Sequence, residues 1–273
     1  MDVTVREYGS TAEGYRLTVL PAPLHGDARA KLAHLLGHKG QPWLSDVQWR
    51  MARGQGDMFA VAWSEHEPVS NAWLGRSPAF PEVALLGHVF TTETHRRRGL
   101  ATRLLKILFD EFGKSGGRWV LLGTANPAAA RIYERFGFGV LNGEFAEGNM
   151  MMLRPADVEA LRVEYLSTPE KWEVVRFERR HYPSACLLFN INPDPGKLPA
   201  LGITRGVKAE LKLLEALDAQ HEGRCRCYVL VDTARGRVRG FACTKEGHPH
   251  FFEPHLPLSL REAFRAAVER THG

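Results

Sequence analysis

Residues 95–104, HRRRGLATRL, set Arg96, Arg97 and Arg98 directly before Gly99, after which Leu100, Leu104, Leu105, Leu108 and Phe112 recur at helical spacing. Such a stretch offers anion binding. The first N–H groups of a helix have no intrahelical acceptor and carry partial positive charge, which suits a phosphate. Gly99 and Ala101 put no long side chain between that backbone and a bulky ligand, and the arginines add formal charge at the same place. A diphosphate uses all of these features. The Gly-Lys-Ser/Thr ending of a phosphate loop is missing, and so is the glycine triplet of a dinucleotide fingerprint.

A second chemical stretch lies downstream at residues 124–138, TANPAAARIYERFGF. Asn126 precedes a helix opened by Pro127, Tyr133 lies within that helix, and Gly137 can take the left-handed conformation that ends it before Phe138. In this order, Arg96, Gly99 and Ala101 followed by Asn126, Tyr133, Gly137 and Phe138 resemble the acetyl-CoA motifs of the GNAT superfamily, the GCN5-related N-acetyltransferases. The resemblance covers residues 13–154 and does not extend to the rest of the chain.

The resemblance implies acetyl-CoA, or another acyl-CoA, as co-substrate, with no metal. The pantetheine arm would pair with backbone near Val89 and Thr91 in a gap between two splayed strands. The diphosphate would rest on N–H groups of Arg97, Arg98, Gly99, Leu100, Ala101 and Thr102, with Arg96 beside it and Asn126 also bonding the cofactor. Tyr133 would donate a proton to the departing thiolate after direct attack by an amine. Glu82, before the central strand, and His88, within it at a pKa suited to neutral solution, are candidates for the base. Each also has a plain structural reading, Glu82 as a solvated strand-end carboxylate and His88 as a satisfied strand histidine. His95 is placed to assist the anion. Thr91 stands where the family often has an aliphatic residue, and the arginine triplet where it often has a small one; both contacts use backbone.

The implied activity is an acyl-CoA-dependent N-acyltransferase acting on a small-molecule amine. Alternatives are an acyl-CoA-binding regulatory module without transfer, a relative acting on sulfur or oxygen acceptors, and a malonyl-CoA decarboxylase. Trp43, Trp49, Met51, Trp73 and Phe80 could wall an acceptor pocket or pack a core, and their density favours the core.

These motifs require elements to hold them. Strands are expected at YRLTVL, DMFAVAWS, PVSNAWLGR, EVALLGHVFTT, RWVLLGT, FGV and NMMMLR, and helices at GDARAKLAHLLGH, SDVQWRMARG, residues 99–114 and PAAARIYERFG. The fold class is α/β (α+β): a GNAT-like mixed, mostly antiparallel sheet flanked by helices, with a second, smaller α/β domain. The texture changes near residue 154, dividing the chain into a catalytic domain at 1–154 and an accessory domain at 155–273, a substrate cover or dimer contact. In the latter PEKWEVVRFERRHY reads as helical, GVKAELKLLEALDAQ and SLREAFRAAVERT as helices, and RCYVLVDTARGRVRGFACTK as a hairpin. Helix then hairpin faintly repeats the first half of the catalytic domain.

The 273 residues are 44% hydrophobic and carry a net charge of +5, interspersed rather than gathered, which argues against nucleic acid. No apolar run is long enough to span a bilayer and no secretory pattern opens the chain, so a cytoplasmic protein with no membrane partner is expected. Cys186, Cys225, Cys227 and Cys243 read as reduced structural thiols, since one residue separates Cys225 from Cys227 where zinc knuckles have two to four. His248, His250, Glu253 and His255 fall in a proline-rich stretch read as an extended loop, which gives no reason for convergence on a metal.

Overall fold

The computed structural model describes residues 5–78, 80–142, 150–192, 201–203 and 206–271. The chain divides into two compact units, Met1–Leu122 and Gly123–Gly273. In the first, β1 (Arg6–Ser10) and β2 (Arg16–Pro21) precede two helices, α1 (Gly26–Leu35) and α2 (Trp43–Arg53). Then come β3 (Asp57–Ser64), β4 (Glu67–Arg76), β5 (Val83–Thr91), α3 (Leu100–Lys114) and β6 (Trp119–Thr124). Adjacent strands pair antiparallel from β1 through β5, and β6 joins β5 in parallel. A parallel partner needs a crossover, which α3 supplies.

The stripe expected on α3 is its buried face: Leu104, Leu105 and Leu108 are fully enclosed, with Leu100, Phe109 and Phe112 beside them. They pack on β3 and β4, where Phe59, Ala60, Val61, Ala72 and Leu74 are equally enclosed. The sheet thus holds α3 by one face and leaves the opposite face, including Thr102, Arg103 and Lys106, to solvent.

The second unit contains α4 (Pro127–Glu134), the antiparallel pair β7 (Gly139–Asn142) and β8 (Met150–Arg154), and α5 (Val158–Tyr165). There follow β9 (Trp172–Arg176), α6 (Tyr182–Ile191), α7 (Val207–His221), β10 (Arg226–Asp232), β11 (Arg237–Lys245), β12 (His248–Phe252) and α8 (Leu258–Arg270). Its four-stranded antiparallel sheet runs β12-β11-β10-β9. α6 is buried along its entire length, whereas α8 covers the other face through Leu260, Phe264 and Val268, packed on Tyr228, Leu230 and Ala242.

The succession β9-α6-α7-β10-β11-β12-α8 repeats that of β2-α1-α2-β3-β4-β5-α3, one strand, two helices, a three-strand meander and a helix. In both copies the four strands pair antiparallel in the same sequence. The faint half-copy is therefore a topological repeat, concealed because the sequence suggests a helix where the repeat opens with a strand.

That strand corrects the helical reading of PEKWEVVRFERRHY. Its Glu, Lys and Arg residues favour helix in isolation, but Trp172–Arg176 form a five-residue ladder with β10, and tertiary pairing overrides propensity. β1 and β12 are likewise strands the sequence reading passed over. His248–Phe252 pairs with β11 as an edge strand, where Pro249 costs no central ladder bond. The textural boundary near 154 and the packing boundary at 122/123 are different properties, one of pattern and one of compactness.

Leu104→Ala, at the centre of the α3 stripe, should cost about 2–5 kcal/mol of stability, read from the denaturant midpoint.

Candidate functional site: an uncapped helix start beside a broken strand ladder

β5 carries the first half of the site because its two halves are held differently. From Val83↔Trp119 to Leu86↔Leu122 it is paired with β6, while the ladder with β4 slips between Asn71 and Trp73. At that slip His88 adopts φ +50°, a left-handed conformation rare outside glycine, and thus forms a bulge. Side chains of β4 take up carbonyls at the break: Asn71 Nδ2 donates to His88 O at 3.0 Å and Ser70 Oγ to Phe90 O at 3.0 Å. Gly87–Thr91 run on beyond the β6 ladder and are part-exposed, so Val89 and Thr91 lie on the stretch of β5 that has no β6 partner among the described residues. The buried Oδ1 of Asn71 also has no donor among the described residues.

The chain then turns through a short 3₁₀ segment, Glu93–His95, into α3. Arg97 and Gly99 both have positive φ, +62° and +70°. Alternation of this kind turns successive N–H groups to one side and makes an anion-binding concavity. Gly99 is the N-cap and supplies no side-chain cap, and a Cβ there would meet nothing within 4 Å. The amides of Leu100, Ala101 and Thr102 therefore have no acceptor among the described residues, whereas Arg103 N already bonds Gly99 O at 3.1 Å. Arg96 to Gly99 are exposed.

The arginines do not act alike. Arg96 Nε donates to Thr91 O at 3.2 Å and Arg98 Nη2 to Thr94 O at 3.5 Å, so both brace the turn. Arg98 also lies 5.8 Å over the ring of Tyr15, which His95 meets edge-on at 5.7 Å. Arg97 has no partner among the described residues. His95 Nδ1 is engaged with Thr92 and Thr94 hydroxyls at 2.9 Å each, which makes it a brace of the turn as well.

Neither base candidate has the setting expected of it. Glu82 sits at the paired end of β5, against Arg118 at 3.5 Å, while its carbonyl accepts from Arg118 N and Trp119 N. Six residues of strand separate it from His88, about 20 Å, too far for a water-mediated proton transfer. His88 is near the bulge and part-exposed, with its ring 5.2 Å from Trp73 and partly shielded from water. That loss of hydration, with Lys39 and Arg50 adding to it and Asp46 opposing, pushes its pKa down to about 3. The near-neutral pKa expected for His88 is thereby corrected: it is a neutral imidazole at physiological pH.

Beside it is a buried ionic group that the sequence reading overlooked. Arg50 binds Asp46 at 2.6 Å and Asp57 at 3.0 Å, and its guanidinium lies 4.4 Å over the Trp73 ring. Trp73 Nε1 donates to Asp57 at 2.7 Å. Burial raises the Asp57 pKa, and Arg50 and Trp73 oppose it. Gly75 is required there, since a Cβ would come within 2.0 Å of Trp73 and 2.7 Å of Asp57. The i,i+4 spacing of Asp46 and Arg50 was the available signal; the arrival of Asp57 from β3 was not. Of the aromatic group, Met51, Trp73 and Phe80 are buried core, while Trp43 and Trp49 remain part-exposed.

In the second unit, Asn126 is the N-cap of α4. Its Oδ1 accepts from Ala128 N at 2.9 Å and Ala129 N at 3.4 Å, so only its amide nitrogen is left for a ligand. Pro127 opens the helix and Gly137, φ +84°, ends it. Tyr133 is buried, 6.0 Å from the Phe138 ring, and loss of hydration pushes its pKa up to about 12. Its phenol keeps its proton at any physiological pH.

The four residues weighed for metal in the second unit diverge. Glu253 pairs with Arg265, His255 Nε2 meets Asn192 Oδ1 at 3.0 Å, and His248 is exposed. The repeat also lacks the anion turn: EPHLP joins β12 to α8, with a proline N-cap and a carboxylate where the first copy has glycine and arginines.

Residues 55–140 match the family model of the acetyltransferase (GNAT) domain, a span that includes the Arg96–Thr102 turn, Asn126 and Tyr133. The matched residues lie in a mostly antiparallel mixed sheet flanked by helices. Among solved structures it is similar to an acyl-CoA N-acyltransferase from Pseudomonas aeruginosa, at 18% identity over 52% of this chain and 99% of that one, TM-score 0.44. It is also similar to a GNAT-family acetyltransferase from Staphylococcus aureus Mu50, at 15% identity over 50% and 98%, TM-score 0.40. A third is the PaiA N-acetyltransferase from Thermoplasma acidophilum in complex with coenzyme A, at 13% identity over 50% and 97%, TM-score 0.40. No curated protein matched the chain by sequence. No helix of the described residues is long and apolar enough to cross a membrane.

The unfolded imidazole of His88 titrates near 6.5 and the folded one near 3, so between those values the unfolded chain binds a proton that the folded chain does not. Stability should fall as pH drops through that window. His88→Asn, which tolerates positive φ, should flatten this part of the stability curve; an unaltered slope would refute a neutral imidazole.

Proposed function

We propose that the protein transfers an acyl group, acetyl in the simplest case, from its CoA thioester to the amine of a small molecule. The observation that carries this reading is the start of α3: three consecutive amides without acceptors, opened by a left-handed glycine and flanked by arginines, inside the span that matches the GNAT domain. A diphosphate fits that donor set in charge and in hydrogen-bonding capacity. Arg96 and Arg98 serve by fixing the turn, and Arg97 supplies an uncommitted charge. Asn126 contributes its amide nitrogen, and the unpaired edge of β5 at Val89 and Thr91 offers backbone groups to an extended pantetheine arm.

In direct transfer the amine lone pair attacks the thioester carbonyl and forms the N–C bond, the nitrogen gives up a proton to water, the C–S bond breaks and the sulfur requires a proton. Tyr133 is the donor in this reading, and the phenolate is then reprotonated from solvent. A phenol whose pKa is about 12 keeps its proton, and so stays neutral, over the working range until it donates. The base is assigned to neither Glu82 nor His88. His88 remains in the reading only as a neutral hydrogen-bonding group at the bulge, and Trp43 and Trp49 as the part-exposed aromatic surface for an acceptor. A cytoplasmic location and an accessory role for residues 155–273 complete the proposal.

Arg97→Ala should weaken CoA binding by about 10-fold in calorimetry, the worth of one charge-assisted hydrogen bond. Tyr133→Phe should leave that affinity unchanged and lower kcat for thiol release by about 100-fold or more with a panel of amines. Unchanged turnover in Tyr133→Phe would remove its role as acid, and wild-type CoA affinity in both Arg97→Ala and a Gly99→Val variant would remove the diphosphate assignment.

A further inference from the structure

Three of the four cysteines meet in the second unit, and the proposed transfer makes no use of them. Cys225 and Cys227 stand at the head of β10, and Cys243 on β11 is the direct cross-strand partner of Cys227. The hairpin accomplishes what spacing along the chain could not show: it returns a third sulfur to a pair whose one-residue separation argued against a metal. The three Sγ atoms lie within 4.8 Å of one another, with Cys225 and Cys227 at 3.8 Å, and the residues are only 6%, 0% and 0% exposed.

We propose that Cys225, Cys227 and Cys243 form a binding site for a thiophilic divalent metal ion of the zinc class, clasping the β10–β11 hairpin. A tetrahedral ion with metal–sulfur bonds of about 2.3 Å holds its sulfurs about 3.8 Å apart. Cys225 and Cys227 already have that separation, and drawing in Cys243 takes a movement of about 1 Å at most. The next residue across the sheet is His250, which pairs with Cys243 on β12 and therefore projects from the same sheet face. It has no hydrogen bond or ion pair among the described residues and is part-exposed; its ring nitrogens lie outside the 4.8 Å sulfur cluster, so a fourth ligand from it takes a side-chain movement, and a water completes the tetrahedron otherwise. The charge also balances. A dication on three thiolates leaves one net negative charge, and Arg224 and Arg176 act on Cys225 and Lys245 on Cys243. In binding, three S–H groups lose their protons to the buffer, three metal–sulfur bonds form, and nothing is oxidised or reduced.

The test uses the reduced full-length protein, stripped of metal and titrated with Co²⁺. The expected result is saturation at one ion per chain, with thiolate-to-cobalt charge transfer in the near ultraviolet, tetrahedral d–d bands in the visible, and displacement by Zn²⁺. Cys243→Ser should weaken binding by at least about 10-fold, a loss typical even of outer-shell changes, while Cys186→Ser leaves it intact. If Cys243→Ser does not fold, the wild type still decides: Zn²⁺ should protect three of the four thiols from a disulfide reagent. No charge-transfer band at one equivalent, undiminished bands in folded Cys243→Ser, or a disulfide within the trio would each overturn the site.

Discussion

A helix cannot satisfy its own first amides, and at the start of α3 the first unit leaves that deficit open beside a cluster of arginines. Asn126 caps α4 and Asp157 caps α5 with their side chains, whereas the other α-helices among the described residues begin without a side-chain cap; α3 differs from these in joining an exposed left-handed glycine to three arginines. At α3 the capping residue is a glycine in a left-handed conformation, which offers no acceptor. The cost of open donors is tolerable because the turn is exposed and because the buried Leu104, Leu105 and Leu108 hold the helix to the sheet whether or not its first turn is satisfied. Stability is supplied by one face of α3, and binding capacity by its end.

The same separation operates in β5. Its first half is locked between two neighbours, and its second half is freed from β6 while Asn71 and Ser70 take up the carbonyls at the bulge. A strand edge with open backbone groups is ordinarily a liability. Here it lies next to the open helix start, and both deficits are of the kind that an extended, anionic ligand relieves. The buried Asp46–Arg50–Asp57 group on the strands and helix nearby removes one guanidinium and two carboxylates from water, and its rigidity keeps Trp73 and the His88 ring in place.

The topological repeat shows which of these features belong to the fold and which to the chemistry. The second unit has the strand, the helix pair, the meander and the closing helix, so these are requirements of the architecture. It lacks the glycine and the arginines, and its helix start follows two prolines and a carboxylate that is already paired with Arg265. It has instead a buried thiol trio within the hairpin. The two halves share a scaffold and differ in the ligand chemistry that the scaffold presents.

Residue order by itself determined the helices of the first unit and its strands other than β1, the α3 stripe and the two motifs, because these depend on local periodicity and on what glycine, proline and arginine do to nearby backbone. It left Tyr133 and the turn legible, since they are carried by short contiguous stretches. What only the tertiary structure decided depends on neighbours far along the chain. Pairing with β10 made Trp172–Arg176 a strand against its propensity, and Trp73 with Lys39 and Arg50 made His88 a neutral group. Strand register separated Glu82 from the bulge, and the hairpin brought Cys243 to Cys227. Propensity is set within a few residues, whereas ionisation, reach and convergence are set by whatever the fold packs alongside.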